Sequence, residues 1–253
     1  MAAWQGPEGW HRPLWRLSLL GGLELSRDDA VQPLPSSVQR LVAFVSLNGR
    51  VGRASLAGTL WPEASEEHAH GSLRSALWRL GKSQPSMLQL SGNSVALHAG
   101  VSVDVRDLYE TAELLLAGAA PPAGSPVPRQ LLDGELLPGW YDDWVLFERE
   151  RLRQLRMHTL EALALTLAEQ GRFAAAVQVG LTAVRIEPLR ESAHRAVIRV
   201  HLAEGNVTEA VRQYRLCQRL FEQELGLEPS PLLTSLIPER RPEQAGDALV
   251  TGG

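Results

Sequence analysis

The chain has 253 residues, 44% of them hydrophobic, and a formal net charge of −4. That length allows one large domain or two small ones, and that charge gives no overall electrostatic case for a nucleic-acid partner. A single cysteine, Cys217, leaves no intrachain disulfide and no cysteine metal site. Residues 1–13 lack the continuous apolar run of a signal peptide, and no stretch is long enough to span a bilayer. The expectation is a soluble protein of a reducing, cytoplasmic compartment.

In chain order, Trp15, Leu17, Leu19 and Leu20 predict a short strand that turns at Gly21-Gly22 and resumes at Leu23 and Leu25. Arg27-Asp28-Asp29 marks another turn, and Pro33 and Pro35 close this strand region. Ser36 or Ser37 is the expected N-cap of a helix whose apolar face is Val38, Leu41, Val42 and Val45, ending at Asn48-Gly49. A second helix from Arg53 carries Leu56, Ala57 and Leu60 and stops at Trp61-Pro62. A third follows Ser65, with Glu66 and Glu67 at the positive end of its dipole, and is expected to break at Gly81.

At 100° per residue, Ala69, Leu73, Ala76, Leu77 and Leu80 form an inner stripe on the third helix. The opposite side carries Gly71, Ser75, Trp78 and Lys82, flanked by His68, Arg74 and Arg79. Met87, Leu88 and Leu90, the turn Ser91-Gly92-Asn93, then Val95 and Leu97 predict a β-hairpin, followed directly by a helix through Asp104, Leu108 and Leu114. Three helices and a hairpin make a winged helix-turn-helix, in which the third helix enters the major groove. A polar helix face is also what any solvated helix shows. Residues 1–120 hold ten Arg or Lys against eleven Asp or Glu, which weighs toward that plainer reading.

Residues 117–129, rich in Ala, Pro and Gly, predict a flexible surface loop. From Leu160 to Glu222 the chain reads as two copies of one helical hairpin. An offset of 34 residues places Gly171 on Gly205, Ala176 on Ala210, Val177 on Val211 and Ala183 on Cys217. That period is the tetratricopeptide (TPR) repeat, whose helix pairs cover one another's apolar faces. Pro188 stops the second helix of the first copy. The second copy has Glu222 there, so its last helix should run on to Gly226, before Pro229. Residues 131–233 should be almost wholly helical, and 238–253 a disordered tail.

Between loop and repeats lie Leu136-Leu137-Pro138-Gly139, the acidic pair Asp142-Asp143 before Trp144, and Glu148-Arg149-Glu150-Arg151-Leu152. Further on come Glu187-Pro188-Leu189-Arg190-Glu191, His194-Arg195, Tyr214 with Cys217, and the run from Glu224 to Ser230. These segments resemble the bacterial transcriptional activator domain. In that family the domain is a set of TPR-like helices behind a winged helix like that of OmpR-type response regulators, and the pair defines the SARP class of antibiotic-pathway activators. The resemblance covers residues 14–237. It implies a winged helix-turn-helix domain over 14–100 and a helical activator domain over 101–237, in a mainly α chain. One departure is Gly81-Lys82, where the family often carries consecutive arginines. No Gly-x-x-x-x-Gly-Lys follows, as in the short form without an ATPase module.

Enzymatic readings find no support in the sequence. His194 and His201 share a helix face without a carboxylate constellation, and His68 and His70 point to different sides of theirs. No nucleophile stands with a base and no glycine-rich phosphate loop is present, so no catalytic residue, metal or cofactor is expected. The main expectation is a sequence-specific DNA-binding activator located with the nucleoid. Arg74, Ser75 and Trp78 would face base edges or sugar; Arg50, Arg53, Arg79 and Lys82 would hold phosphates; Gly92, Asn93 and Ser94 would form the wing tip. Its partners would be promoter DNA, RNA polymerase and a neighbouring protomer. The alternative is a protein-interaction regulator whose winged helix has lost DNA binding.

Overall fold

The computed structural model describes residues 15–119, 129–132 and 134–237. By packing, the chain divides into two compact units, Met1–Ala162 and Leu163–Gly253. The motif-level division expected at residues 100 and 101 is therefore not where the contacts thin out. Most of the expected loop at 117–129 and all of the expected tail lie outside the described residues.

The first unit opens with an antiparallel meander of β1 (Trp15–Ser18), β2 (Glu24–Arg27) and β3 (Ala30–Gln32). Trp15 and Leu17 are buried while Arg16 between them is exposed, the period-2 alternation of a half-buried strand. Asp28 and Asp29 both take positive φ between the paired residues Arg27 and Ala30, as a two-residue primed hairpin turn requires. Helix α1 (Ser36–Asn48) buries the expected face together with Ala43, Phe44 and Ser46, so its middle is enclosed nearly all round. Its N-cap is Pro35 rather than a serine, and no side chain caps it. The serine hydroxyl is engaged elsewhere: Ser37 Oγ accepts from Arg79 at 3.0 Å.

Strand β4 (Val51–Gly52) leads into α2 (Arg53–Leu60), which stops at Trp61-Pro62 as expected. Helix α3 (Glu66–Ser83) is capped by Ser65, whose hydroxyl accepts from the His68 N–H. It passes through Gly81, where a break was expected, and ends at Ser83. Glycine weakens a helix interior by roughly 1 kcal/mol without forbidding it. Pro85 is the true stop, because a proline drives the residue before it out of the helical region; Gln84 sits at φ −133, ψ 70. Strands β5 (Leu88–Ser91) and β6 (Ser94–Leu97) form the hairpin, with β4 on the far side of β6 in a sheet of order β4-β6-β5.

A further strand, β7 (Val101–Val103), stands between hairpin and helix, where a direct passage was expected. It pairs parallel with β1 in a sheet of order β3-β2-β1-β7. Three residues leave too short a pattern for sequence reading, and the ladder comes from a partner more than eighty residues away. Helix α4 (Asp104–Leu116) begins on a carboxylate that accepts from the N–H groups of Leu19 and Leu20 at 3.0 Å and of Val105 at 2.8 Å. Asp104 thus ties the end of β1 to the start of α4, and burial pushes its carboxyl above the ordinary range.

After the short α5 (Arg129–Leu132), residues 134–142 are not helical, against the expectation of helix throughout 131–233. Gly134, Leu137 and Gly139 all have positive φ, which no right-handed helix accommodates, and Leu136 forms an antiparallel bridge with Leu20. Helix α6 (Asp143–Glu169) then begins, with Trp144 edge-on to Phe44 of α1 at 5.2 Å and to Trp140 at 6.3 Å.

The second unit holds the end of α6, then α7 (Phe173–Ile186), α8 (Glu191–Ala203), α9 (Val207–Leu225) and α10 (Pro231–Thr234). Gly171 and Gly205 occupy corresponding turns at φ +71 and +82, and Ala176, Ala210, Ala183 and Cys217 are fully buried. Helix α9 ends on a left-handed Gly226, as the missing proline led us to expect. Two of the sequence motifs meet here. Glu191, closing the first, accepts from the backbone N–H of Ser230 at 2.8 Å and from its hydroxyl at 2.6 Å, and Ser230 caps α10. Leu233 of α10 then packs with Ile198, Ala210, Cys217 and Phe221.

Two predictions follow from this packing. A Cβ on Gly180 would lie 2.7 Å from Val197 Cγ2, inside a wholly buried contact between α7 and α8. Gly180→Val should therefore cost about 1–3 kcal/mol through overpacking. All seven tryptophans precede residue 145, so denaturation followed by tryptophan fluorescence should stay put while the helical circular-dichroism transition moves to lower denaturant. Coincident shifts in both signals would place the contact elsewhere.

His194 is fully buried, with Nε2 2.8 Å from the Pro188 carbonyl and Nδ1 2.8 Å from Gln213 Nε2. The carbonyl can only accept, so Nε2 carries the proton and Nδ1 accepts from the amide. Burial lowers its pKa below the ordinary 6.5. The unfolded chain then binds more protons, so the unit's stability is full above about pH 6.5 and falls as pH drops toward the folded value. Measured midpoints of wild type should decline from roughly pH 7.5 to 5.5 more than those of His194→Gln. Parallel pH profiles would show that the ring is not held neutral.

Candidate nucleic-acid interface

The residues expected to meet DNA fall into two clusters in the first unit. On α3, Arg74, Ser75, Trp78, Arg79 and Lys82 are all exposed, while Ala69, Leu73, Ala76 and Leu80 are buried and Leu77 is half-buried. The 3.6-residue period thus separates an inner from an outer face as the sequence indicated. Trp78 is 66% exposed, and the Lys82 ammonium stands 5.2 Å from its ring centre. That contact holds a cation at the C-terminal end of the outer face. Ser75 returns its hydroxyl to the Gly71 carbonyl at 3.0 Å, which fixes its rotamer and leaves its oxygen lone pairs outward.

The wing forms the second cluster. Ser91 pairs with Ser94, leaving Gly92 and Asn93 as the exposed two-residue tip, with Gly92 at φ +54. The β4–β6 pairing sets Val51 against Val95 and Gly52 against Ser94, and this draws Arg50 and Arg53 to the same hairpin. Arg50 donates to Ser94 Oγ at 3.2 Å, and the Arg53 backbone N–H donates to the Asn93 carbonyl at 2.8 Å. The two-residue β4 that performs this was invisible in sequence, being too short for any periodic signal.

Charge is sorted along this unit. Arg40, Arg50, Arg53, Arg74, Arg79 and Lys82 stand against Glu63, Glu66 and Glu67 through the helices and wing. Within residues 1–120 most of the remaining acids lie in the β2–β3 turn and on α4, so the even balance of that stretch conceals a locally cationic side. Sequence reading missed Ser37 and Arg40, which line the flank of α3. Their signal was a helix N-terminus followed by an arginine, too common to single out.

Among the described residues, no group of three His, Cys, Asp or Glu side chains stands where it could hold a metal, and no helix is long and apolar enough to cross a membrane. His68 is engaged with Ser65 at 2.7 Å, and His70 lies 3.9 Å from Glu66.

Comparison with known proteins bears on the whole chain. Residues 127–239 match the Bacterial transcriptional activator domain family. The chain is 30% identical over 249 residues to the regulatory protein AfsR of Streptomyces coelicolor, covering 92% of this chain and 25% of that protein. It is 28% identical over 236 residues to AfsR of Streptomyces griseus, covering 87% of this chain and 24% of that one. Residues 127–239 thus carry a bacterial transcriptional activator domain, and the chain as a whole is similar to SARP-type transcriptional activators. The chain spans about a quarter of the length of these relatives. Among solved structures, Mycobacterium tuberculosis EmbR, in complex with a low-affinity phosphopeptide, superposes with a TM-score of 0.63 at 21% identity. That match covers 88% of this chain and 64% of EmbR, and it establishes the shared fold of a winged helix-turn-helix followed by TPR-like helices.

Proposed function

We propose that this regulator is a sequence-specific DNA-binding activator, of secondary-metabolite genes, working in the cytoplasm on the nucleoid. The observation that carries the reading is the outer face of α3, where Arg74, Ser75 and the exposed Trp78 share one side beside a wing. Set in a major groove, Arg74 and Ser75 reach base edges and Trp78 offers its ring to a thymine methyl or sugar. Arg79 and Lys82 flank these with phosphate contacts, and Arg50 and Arg53 serve the wing, whose tip is Gly92, Asn93 and Ser94. The Arg53 Nε is buried without a hydrogen-bond partner among the described residues. The helical repeats recruit RNA polymerase and contact a neighbouring protomer on repeated sites.

A second reading, a protein-recruiting regulator without DNA affinity, is favoured by one feature. Tyr141 and Phe147 are 79% and 76% exposed, large aromatic side chains of the kind enriched at protein contacts.

A bidentate arginine–guanine contact is worth about 1–3 kcal/mol of discrimination. Arg74→Ala should weaken the preferred site far more than unrelated DNA. Arg53→Ala should weaken all sequences alike and reduce the salt slope by about 0.9, one counterion-releasing contact fewer. Site selection from random duplexes, then competition titrations at several salt concentrations, separate these outcomes. Wild type without any site preference would hand the function to the protein-recruiting reading.

A further inference from the structure

Beside the outer face of α3 lies a groove of about 910 Å³, walled on its far side by the first turns of α1. Its floor on α3 is made of small residues, Gly71 and Ser75 among them, and Arg40, Arg74 and Arg79 line it as well. Glu67 is the one carboxylate lining it among the described residues. The three guanidiniums are held differently. Arg79 is aimed across the groove by its hydrogen bond to Ser37 Oγ. Arg40 is anchored by an ion pair with Asp142, yet its Nε is buried with no hydrogen-bond partner among the described residues. Arg74 has no acidic partner among the described residues and lies along the groove floor, its Nη2 3.7 Å from where a Gly71 Cβ would be.

Gly71 is the informative residue. It stands inside a long helix, where glycine is among the least favourable choices, and a Cβ there would meet nothing but that arginine head. No packing among the described residues asks for glycine at this position. The close approach of an outside group to the helix backbone does, and the cationic lining states what that group must be.

We propose that this groove is a phosphodiester-binding site, in which Ser37, Arg40 and Arg79 grip the backbone of the DNA strand alongside the bases met by Arg74 and Trp78. The proposal rests on the DNA reading above and adds to it a contact from α1. A phosphate seated on the floor accepts from Arg79 on one side and from Arg40 on the other, while Gly71 leaves room for its oxygens against the helix. Such contacts fix register and carry no sequence information. The groove should therefore govern affinity and salt dependence, and leave preference to the outer face.

The chain with Gly71→Leu, Arg79→Ala or Ser37→Glu tests this. All three positions reach the surface, and circular dichroism checks that each variant folds. Against both the selected site and a random duplex, Gly71→Leu and Ser37→Glu should lose binding at least tenfold and by the same factor on each. Arg79→Ala should lower the salt slope by about 0.9. If wild type binds duplexes and the three variants match it, the groove is not a phosphate site and the reading of the outer face stands or falls with Arg74→Ala. A loss confined to the selected site would also overturn the proposal, because it would make the groove a reader of bases. If wild type binds no duplex, the DNA reading and the groove fall together.

Discussion

The winged-helix unit is closed by one arginine. Residues 134–142 cannot be helical, because three of them hold positive φ, so their carbonyls have no helical N–H to meet. Arg149, in the second turn of α6, donates to the carbonyls of Leu136 at 3.1 Å, Leu137 at 3.0 Å and Trp140 at 3.1 Å, and pairs with Glu135 at 3.1 Å. A guanidinium is the side chain suited to this, with five donors in a fixed plane and a charge that persists on partial burial. With the loop so held, Leu137 donates its N–H to the Leu19 carbonyl, Gly21 donates to the Glu135 carbonyl, and a Cβ on Gly134 would lie only 3.0 Å from Leu20 Cβ. Trp144 is then set against Phe44, and Asp142 against Arg40. The consequence reaches the interface, since α1, positioned from behind by these contacts, supplies the Ser37 and Arg40 wall of the groove.

This arrangement explains why family boundaries and packing boundaries disagree. The family match begins at residue 127, yet the compact first unit runs to Ala162. The Leu-Leu-Pro-Gly and Glu-Arg-x-Arg-Leu motifs, which carried much of the resemblance, are parts of one device: a loop and the arginine that satisfies it. Physically they belong with the winged helix. A fragment ending near residue 116 would strip from Leu20 its bridge to Leu136 and from Phe44 its contact with Trp144.

Legibility in the sequence followed the range of the interactions involved. The repeats could be read because glycine turns and small buried residues recur at a fixed period, and each is enforced by near neighbours. The two faces of α3 could be read for the same reason. Three features could not. Helix α3 outlasts Gly81 because a local penalty of roughly 1 kcal/mol is small beside the burial of Leu80. Strands β4 and β7 exist only through distant partners. The carbonyl-rich loop reads as a motif, and only the structure shows that Arg149 is its reason. The candidate interface divides similarly: helix periodicity exposed the outer face of α3, whereas the Ser37–Arg79 contact links positions forty-two apart and left no periodic trace.

Two repeats are fewer than a helical stack ordinarily needs, since each pair leaves an apolar face for a neighbour to cover. The open end of the second repeat is covered here from within. Helix α10 lays Leu233 over Cys217 and Phe221, with Leu236 and Ile237 beside it, and Tyr214 meets Thr234 at 3.2 Å. What positions so short a helix is the clamp of Glu191 on Ser230, which reaches from the start of α8 and supplies both a partner for the backbone N–H and an orientation for the capping hydroxyl. The second polar tie, Pro188 to His194 to Gln213, runs beside it from the α7–α8 turn into α9. Small residues set the spacing of these helices, which many sequences could do. It is the two polar ties, half-buried at Glu191 and buried at His194, that specify which turn meets which helix, because another register would leave the imidazole buried without its partners.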